Sequence, residues 1–128
     1  MNSTNPQPSE LPSAEDGVIV TKAFFRAGAF LKLTQKELGL LLGESEATIS
    51  RLNHGQALSP KDKNGEIALL FLRIFRSLDA LFGGRQKDMQ QWFDAQNHYL
   101  RGIPRELVKS LQGLFDVAIY LDAMRGQV

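Results

Sequence analysis

The sequence of 128 residues has no cysteine and only two histidines, His54 and His98. Without thiols there is no disulfide framework, no zinc-finger site and no cysteine nucleophile. Two imidazoles far apart in sequence give no basis for histidine-based metal chemistry. Charge of one sign is lacking too: fifteen Lys and Arg against fourteen Asp and Glu leave +1, which excludes a strongly basic packaging protein. The longest unbroken apolar run, Ile67 to Leu72, falls far short of the roughly twenty residues that cross a bilayer. Met1 to Pro6 carries neither the basic nor the apolar region of a signal peptide, so a cytoplasmic protein without a membrane partner is expected. HExxH, GxSxG and Walker patterns are missing. Carboxylates such as Asp79 and Asp88 occur in any helical chain and have no convergent base or nucleophile. Neither catalysis, nor a cofactor, nor a metal is expected.

What is present is ordinary for a folded protein: 43% hydrophobic and 23% charged residues. A chain of this size buries roughly two-thirds of its unfolded surface, enough for one core. Two independent halves would each be marginal, so the halves are expected to lean on each other or on a partner. Residues 1–17 hold Pro6, Pro8 and Pro12 and the acids Glu10, Glu15 and Asp16 with no base. They read as a flexible tail that cannot offset its own ordering entropy. From Val18 onward helical spacing dominates and no long stretch alternates with period two. Seven helices are predicted, near 18–31, 35–42, 46–53, 60–82, 86–95, 104–112 and 114–124, and the fold class is all-α. Ser59 and Pro60 are placed to open the fourth helix, which Gly83-Gly84 stops. The stretch His54 to Gly65, rich in Gly, Pro, Lys and Asn, marks a boundary, dividing the chain into 18–63 and 64–128.

The segment Leu33 to Leu52 carries several local signals that agree. Thr34 and Glu37 form a capping box, with Leu33 and Leu38 placed as a hydrophobic staple. Leu38 and Leu42 share one helix face. Gly39 permits a close approach and Gly43 a left-handed turn. Ser45 then caps a second short helix whose Ile49 and Leu52 point back at Leu38 and Leu42. This describes a helix-turn-helix, in which the second helix lies in a major groove of operator DNA. Ser45, Glu46, Ala47, Ser50 and Arg51 are then the residues at or near the bases, with Gln35, Lys36 and Lys61 or Lys63 near phosphates. Arg51 can fork onto guanine or hold a phosphate, and Ala47 can touch a thymine methyl. Glu46 accepts from a cytosine amine but repels phosphates. The plainer alternative is a helical hairpin in an all-α core, which Glu37, Glu44 and Glu46 keep open. The same residues resemble the Xre/Cro-like repressor pattern, with Gly39 where Ala is usual and Glu44 where an aliphatic residue is usual.

In the C-terminal half the fourth helix is apolar over most of its circumference, as a central core helix or a subunit interface would be. Trp92 reads as a core anchor. The order Leu81-Phe82-Gly83, Trp92-Phe93, Asn97, Leu100-Arg101-Gly102-Ile103-Pro104, Leu107, Gly113, Val117, Leu121 and Arg125-Gly126 is similar to the C-terminal toxin-binding domain of Xre/MbcA/ParS-like antitoxins. Gln96 stands where Pro usually precedes the Asn, and Arg101 where a second Gly is common. The resemblance implies the antitoxin of a two-gene module. Its partner would be a cognate toxin, commonly a RES-domain enzyme that consumes NAD. The C-terminal domain would obstruct the toxin's active-site entrance while the N-terminal domain binds the operon's own promoter. Carried onto this chain, it implies toxin contact by Asn97, Leu100, Arg101, Gly102 and Pro104, and by Arg125, Gly126 and Val128 at the chain end. Arg125 equally suits a solvated charge at a helix C-terminus. A homodimer is expected, with half-sites about one helical turn apart or a multiple of it. The rival function is a stand-alone dimeric helix-turn-helix regulator whose C-terminal half only dimerises or senses a ligand.

Overall fold

The computed structural model describes residues 14–126. They form seven helices: α1 (Ala14–Phe30), α2 (Gln35–Leu42), α3 (Glu46–Asn53), α4 (Lys63–Phe82), α5 (Gln86–Asp94), α6 (Pro104–Leu107) and α7 (Leu111–Met124). Among the described residues the only β feature is an isolated antiparallel bridge between Asn97 and Gly102. The fold is all-α, a helix-turn-helix followed by a C-terminal helical region.

Three boundaries differ from the sequence reading, each for a tertiary reason. α1 begins at Ala14, ahead of Val18. Glu15 and Asp16 occupy its first turn, where the helix dipole favours acids. The Thr21 hydroxyl donates to the Gly17 carbonyl at 2.6 Å and accepts from the Leu58 amide at 2.8 Å. This turn is therefore fastened to the loop after α3. Residues 1–13 of the segment read as a tail lie outside the described residues. α4 is preceded by Asp62 and not by Ser59, and Gly65 does not break it. A Cβ at Gly65 would lie 2.0 Å from the Ser59 carbonyl oxygen, so this glycine lets the Ser59–Pro60 turn cross the first turn of α4. α6 is a single turn, and α7 starts at Leu111 because the Ser110 hydroxyl accepts from the Gly113 amide at 3.1 Å. Gly113, which falls between the two helices predicted near 104–112 and 114–124, lies within α7 as a contact point: a Cβ there would lie 2.0 Å from the Leu107 carbonyl oxygen.

α4 runs through the middle, packed on α1 and on α7, while α2 pairs with α3 and α5 with α6. Its Ala68, Phe71, Ile74 and Leu78 are buried. Phe71 meets Phe24 of α1 edge-on at 5.6 Å, and Phe75 meets Phe30 at 5.3 Å. Each buried aromatic or aliphatic side chain contributes about 1.5–3 kcal/mol. One hydrophobic cluster runs from Phe24 and Leu42 through Ile49 and Phe71 to Phe93, Leu114 and Leu121, so the two halves lean on each other, one of the two outcomes the size argument left open. Arg73 of α4 pairs with the buried Asp122 of α7. The half-buried Trp92 packs against this core.

Candidate functional site

The helix-turn-helix is assembled by the local signals its sequence carries. The Thr34 hydroxyl accepts from the Glu37 amide at 3.1 Å while the Glu37 carboxylate accepts from the Thr34 amide at 3.0 Å, completing the capping box. Gly43 ends α2 with φ +72°, and the Ser45 hydroxyl caps α3 by accepting from the Thr48 amide at 3.1 Å. A Cβ at Gly39 would lie 2.7 Å from the Glu44 carbonyl oxygen, so the close approach made there is by the turn itself. Glu44, unusual in its aliphatic position, is held by a hydrogen bond from Asn64 of α4. The turn is thus tied to the core helix by a polar bond.

On the outer face of α3, Glu46, Ala47 and Arg51 are exposed and Ser50 is half-buried. Arg51 donates only to Thr48 Oγ1, at 2.9 Å, and forms no ion pair among the described residues. Its guanidinium can leave a neutral hydroxyl for a phosphate or a guanine at little loss. Ser45 is occupied as the cap. Gln35 is exposed, but its amide donates to the Glu46 carbonyl at 3.2 Å, so it fixes α2 against α3. Lys36 and Lys61 are exposed on α2 and on the loop before α4.

The second cluster is the connection between α5 and α6. Asn97 folds it: its side-chain Oδ1 accepts from the Leu100 amide at 3.0 Å, and its carbonyl accepts from the Arg101 amide at 2.9 Å. The Asn97 amide donates to the Gly102 carbonyl at 2.9 Å, closing a tight loop. Arg101 sits at φ +58°, left-handed backbone where glycine is favoured. The glycine-preferring position in the resembled pattern thus has a direct geometric cause. Leu100 packs against the core, Pro104 is buried at the start of α6, and Gly102 faces Leu107. His98, Tyr99 and Arg101 point outward. Arg125 lies elsewhere, at the end of α7, where it donates to the buried Ser77 hydroxyl of α4 at 3.1 Å. Gly126 follows in left-handed backbone at φ +72°, and Val128 lies outside the described residues. Asn97 to Pro104 are brought together, whereas Arg125 braces α7 against α4.

Sequence reasoning missed the group that joins the two clusters. Arg105, at the start of α6, donates to Asp94 at the end of α5 and to Glu37 of α2, each at 2.7 Å. It also donates to the Leu31 and Lys32 carbonyls at 2.7 and 3.2 Å, and its guanidinium lies over the Phe93 ring at 5.6 Å. α1 has no basic residue in its last turn. Arg105 supplies that charge from across the chain, where the dipole and the orphan carbonyls call for it. Gln86 and Gln90 of α5 complete the arrangement by donating to the Phe30 carbonyl at 3.1 and 2.8 Å. Lys109 reaches the other Glu37 oxygen at 3.0 Å. Burial alone would raise the Glu37 carboxyl. The Thr34 amide, Lys109 and Arg105 together outweigh it and lower its pKa from 4.5 to about 2. Burial likewise works against charge on Arg105, and the hydrogen bonds it donates to Asp94 and Glu37 reverse the balance and raise its pKa.

No helix of the described residues is long and apolar enough to cross a membrane. No curated protein matches this chain. Residues 13–73 match the antitoxin Xre-like helix-turn-helix domain, and residues 77–126 match the antitoxin Xre/MbcA/ParS C-terminal toxin-binding domain. The second match includes the Asn97–Gly102 loop, Arg105 and α7, and the first includes the whole capped α2–α3 pair. The chain therefore joins an antitoxin Xre-like helix-turn-helix domain to an antitoxin Xre/MbcA/ParS C-terminal toxin-binding domain.

Proposed function

We propose that this protein is an antitoxin that neutralises a cognate toxin by occupying its active-site entrance and represses its own operon through α3. The supporting observation is one rigid core carrying two preformed projections. One is a capped helix whose Arg51, on the outer face, makes no ion pair among the described residues; the other is a hydrogen-bonded loop from Asn97 to Gly102. Blocking by occupancy needs no catalytic group in the blocker. The toxin is a RES-type enzyme that consumes NAD, and both proteins act in the cytoplasm. The chain divides functionally at 63/64, with 18–63 reading DNA and 64–128 holding the partner and dimerising. Asn97, Leu100, Arg101, Gly102 and Pro104 form the toxin contact, extended by Arg125, Gly126 and Val128.

Homodimerisation draws support from α7, where Leu111, Phe115 and Ile119 form an apolar stripe, each half-exposed or more. A row of large apolar side chains facing water on a small protein marks an interaction surface. At operator DNA, Glu46, Ala47, Ser50 and Arg51 meet base edges while Lys36 and Lys61 hold phosphates, and Gln35 and Ser45 keep α3 at its angle.

The test is a gel-shift measurement on the operon's promoter. Arg51→Ala is expected to weaken binding about tenfold, and the affinity of the wild type falls steeply as salt rises. Equal binding by wild type and variant would refute α3 as the reading helix.

A further inference from the structure

Tyr99 is the most exposed large apolar side chain among the described residues, at 79%, yet it does not hang free. Its ring lies over Tyr120 of α7 at 6.2 Å and 25°, and Tyr120 in turn lies over Trp92 of α5 at 6.3 Å and 17°. Trp92 and Tyr120 both pack against the core. The outermost ring is thereby propped from behind, and the His98 ring meets it edge-on at 5.5 Å. Below it, the loop backbone is closed by the Asn97–Gly102 bridge, and its two stems are joined by the bond between Arg105 and Asp94. Next to the ring stands Arg101 in left-handed backbone, with no ion pair or hydrogen bond from its guanidinium among the described residues. A side chain held in a conformation that suits glycine, without an internal contact to compensate, points to a role outside the molecule. An open hollow lined by Gln96, His98, Tyr99 and Arg101 leaves room for a partner to close around the ring.

We propose that Tyr99 and Arg101 form a preformed anchor pair that enters a concave cleft on a partner protein. Tyr99 fills an apolar slot, and Arg101 meets a carboxylate at the rim of that slot. The inference rests on reading the C-terminal half as a partner-binding domain and adds the chemistry the partner must present. A rigid aromatic ring loses little freedom on docking, and Tyr and Arg are the residue types that dominate interface energies. The loop tip offers one guanidinium, whereas a nucleic-acid footprint needs several cations along a backbone. An acidic, partly apolar protein cleft is the occupant this chemistry fits.

The experiment uses the full chain and, as probe, the purified enzyme encoded by the neighbouring reading frame, with Kd measured by titration calorimetry. Tyr99→Ala is expected to weaken binding about thirtyfold, and Tyr99→Phe less than threefold. Arg101→Gly is the decisive variant: it removes the guanidinium while suiting φ +58°, so the melting temperature holds or rises as binding weakens about tenfold. Wild-type binding with all three variants within twofold of it would overturn the anchor pair and leave the partner-binding reading standing. Failure of the wild type itself to bind would overturn both. Loss of affinity for a single-stranded oligonucleotide in Tyr99→Ala, with enzyme binding unchanged, would also overturn the proposal.

Discussion

Glu37 serves two structures at once: it closes the capping box of α2 and receives Arg105 and Lys109 from the far half of the chain. Both it and Arg105 keep less than a fifth of their side-chain surface exposed, 15% and 17%, so solvent screens the pair only in part. Arg105→Ala removes one of the donors to that carboxylate and the guanidinium that serves the Leu31 and Lys32 carbonyls after α1. A loss of about 2–3 kcal/mol is expected in urea unfolding. The pH dependence has a defined sign. The folded-state pKa of Glu37 lies near 2 against an ordinary 4.5, so its contribution is complete above about 4.5 and disappears as pH falls through about 2. Wild type should therefore lose roughly 2 kcal/mol more than Glu37→Gln between pH 5 and 2; parallel stability curves would contradict the assignment. The cap role of Glu37 was legible, because its partner Thr34 sits three residues away. The clamp role was not, because Arg105 is 68 residues distant and no local pattern announces such a pair. Arg51 illustrates the opposite case: its outward position follows from helix phase alone.

Helices as units were readable wherever caps and periodicity agree, as in α2 and α3, and less so where a neighbouring backbone decides. Gly65 and Gly113 look like punctuation in a linear sequence. In the fold each admits a carbonyl, that of Ser59 or Leu107, to within 2.0 Å of where a Cβ would stand. Gly113→Ala should force α7 away from the end of α6 and lower stability by about 2 kcal/mol, although alanine is the better helix former. A stabilised Gly113→Ala protein in thermal unfolding would contradict this. The α3 cap gives a smaller effect. Ser45→Ala removes the acceptor for the Thr48 amide and is expected to lower stability by about 1 kcal/mol. Its DNA affinity should fall with it, since α3 carries Arg51.

For the molecule as a whole, α4 joins the helix-turn-helix to the C-terminal helical region through one core. The apolar breadth of α4 is absorbed mainly inside the chain, with Leu69 and Leu81 left exposed, while α7 turns Leu111, Phe115 and Ile119 outward in one stripe. Sedimentation should show a twofold species that Phe115→Glu converts to monomer. A wild type that is monomeric both free and on DNA would contradict the dimer. Chain length pointed to halves that lean on each other or on a partner; that they share a core, and which helix faces remain open, depends on tertiary packing that sequence periodicity does not specify. Whether this molecule acts by docking is decided by co-expression with the enzyme of the neighbouring reading frame. The enzyme alone should arrest growth; with this chain present, growth should return and the two proteins should elute as one complex. Growth arrest that persists, with the two proteins eluting apart, would contradict the proposal.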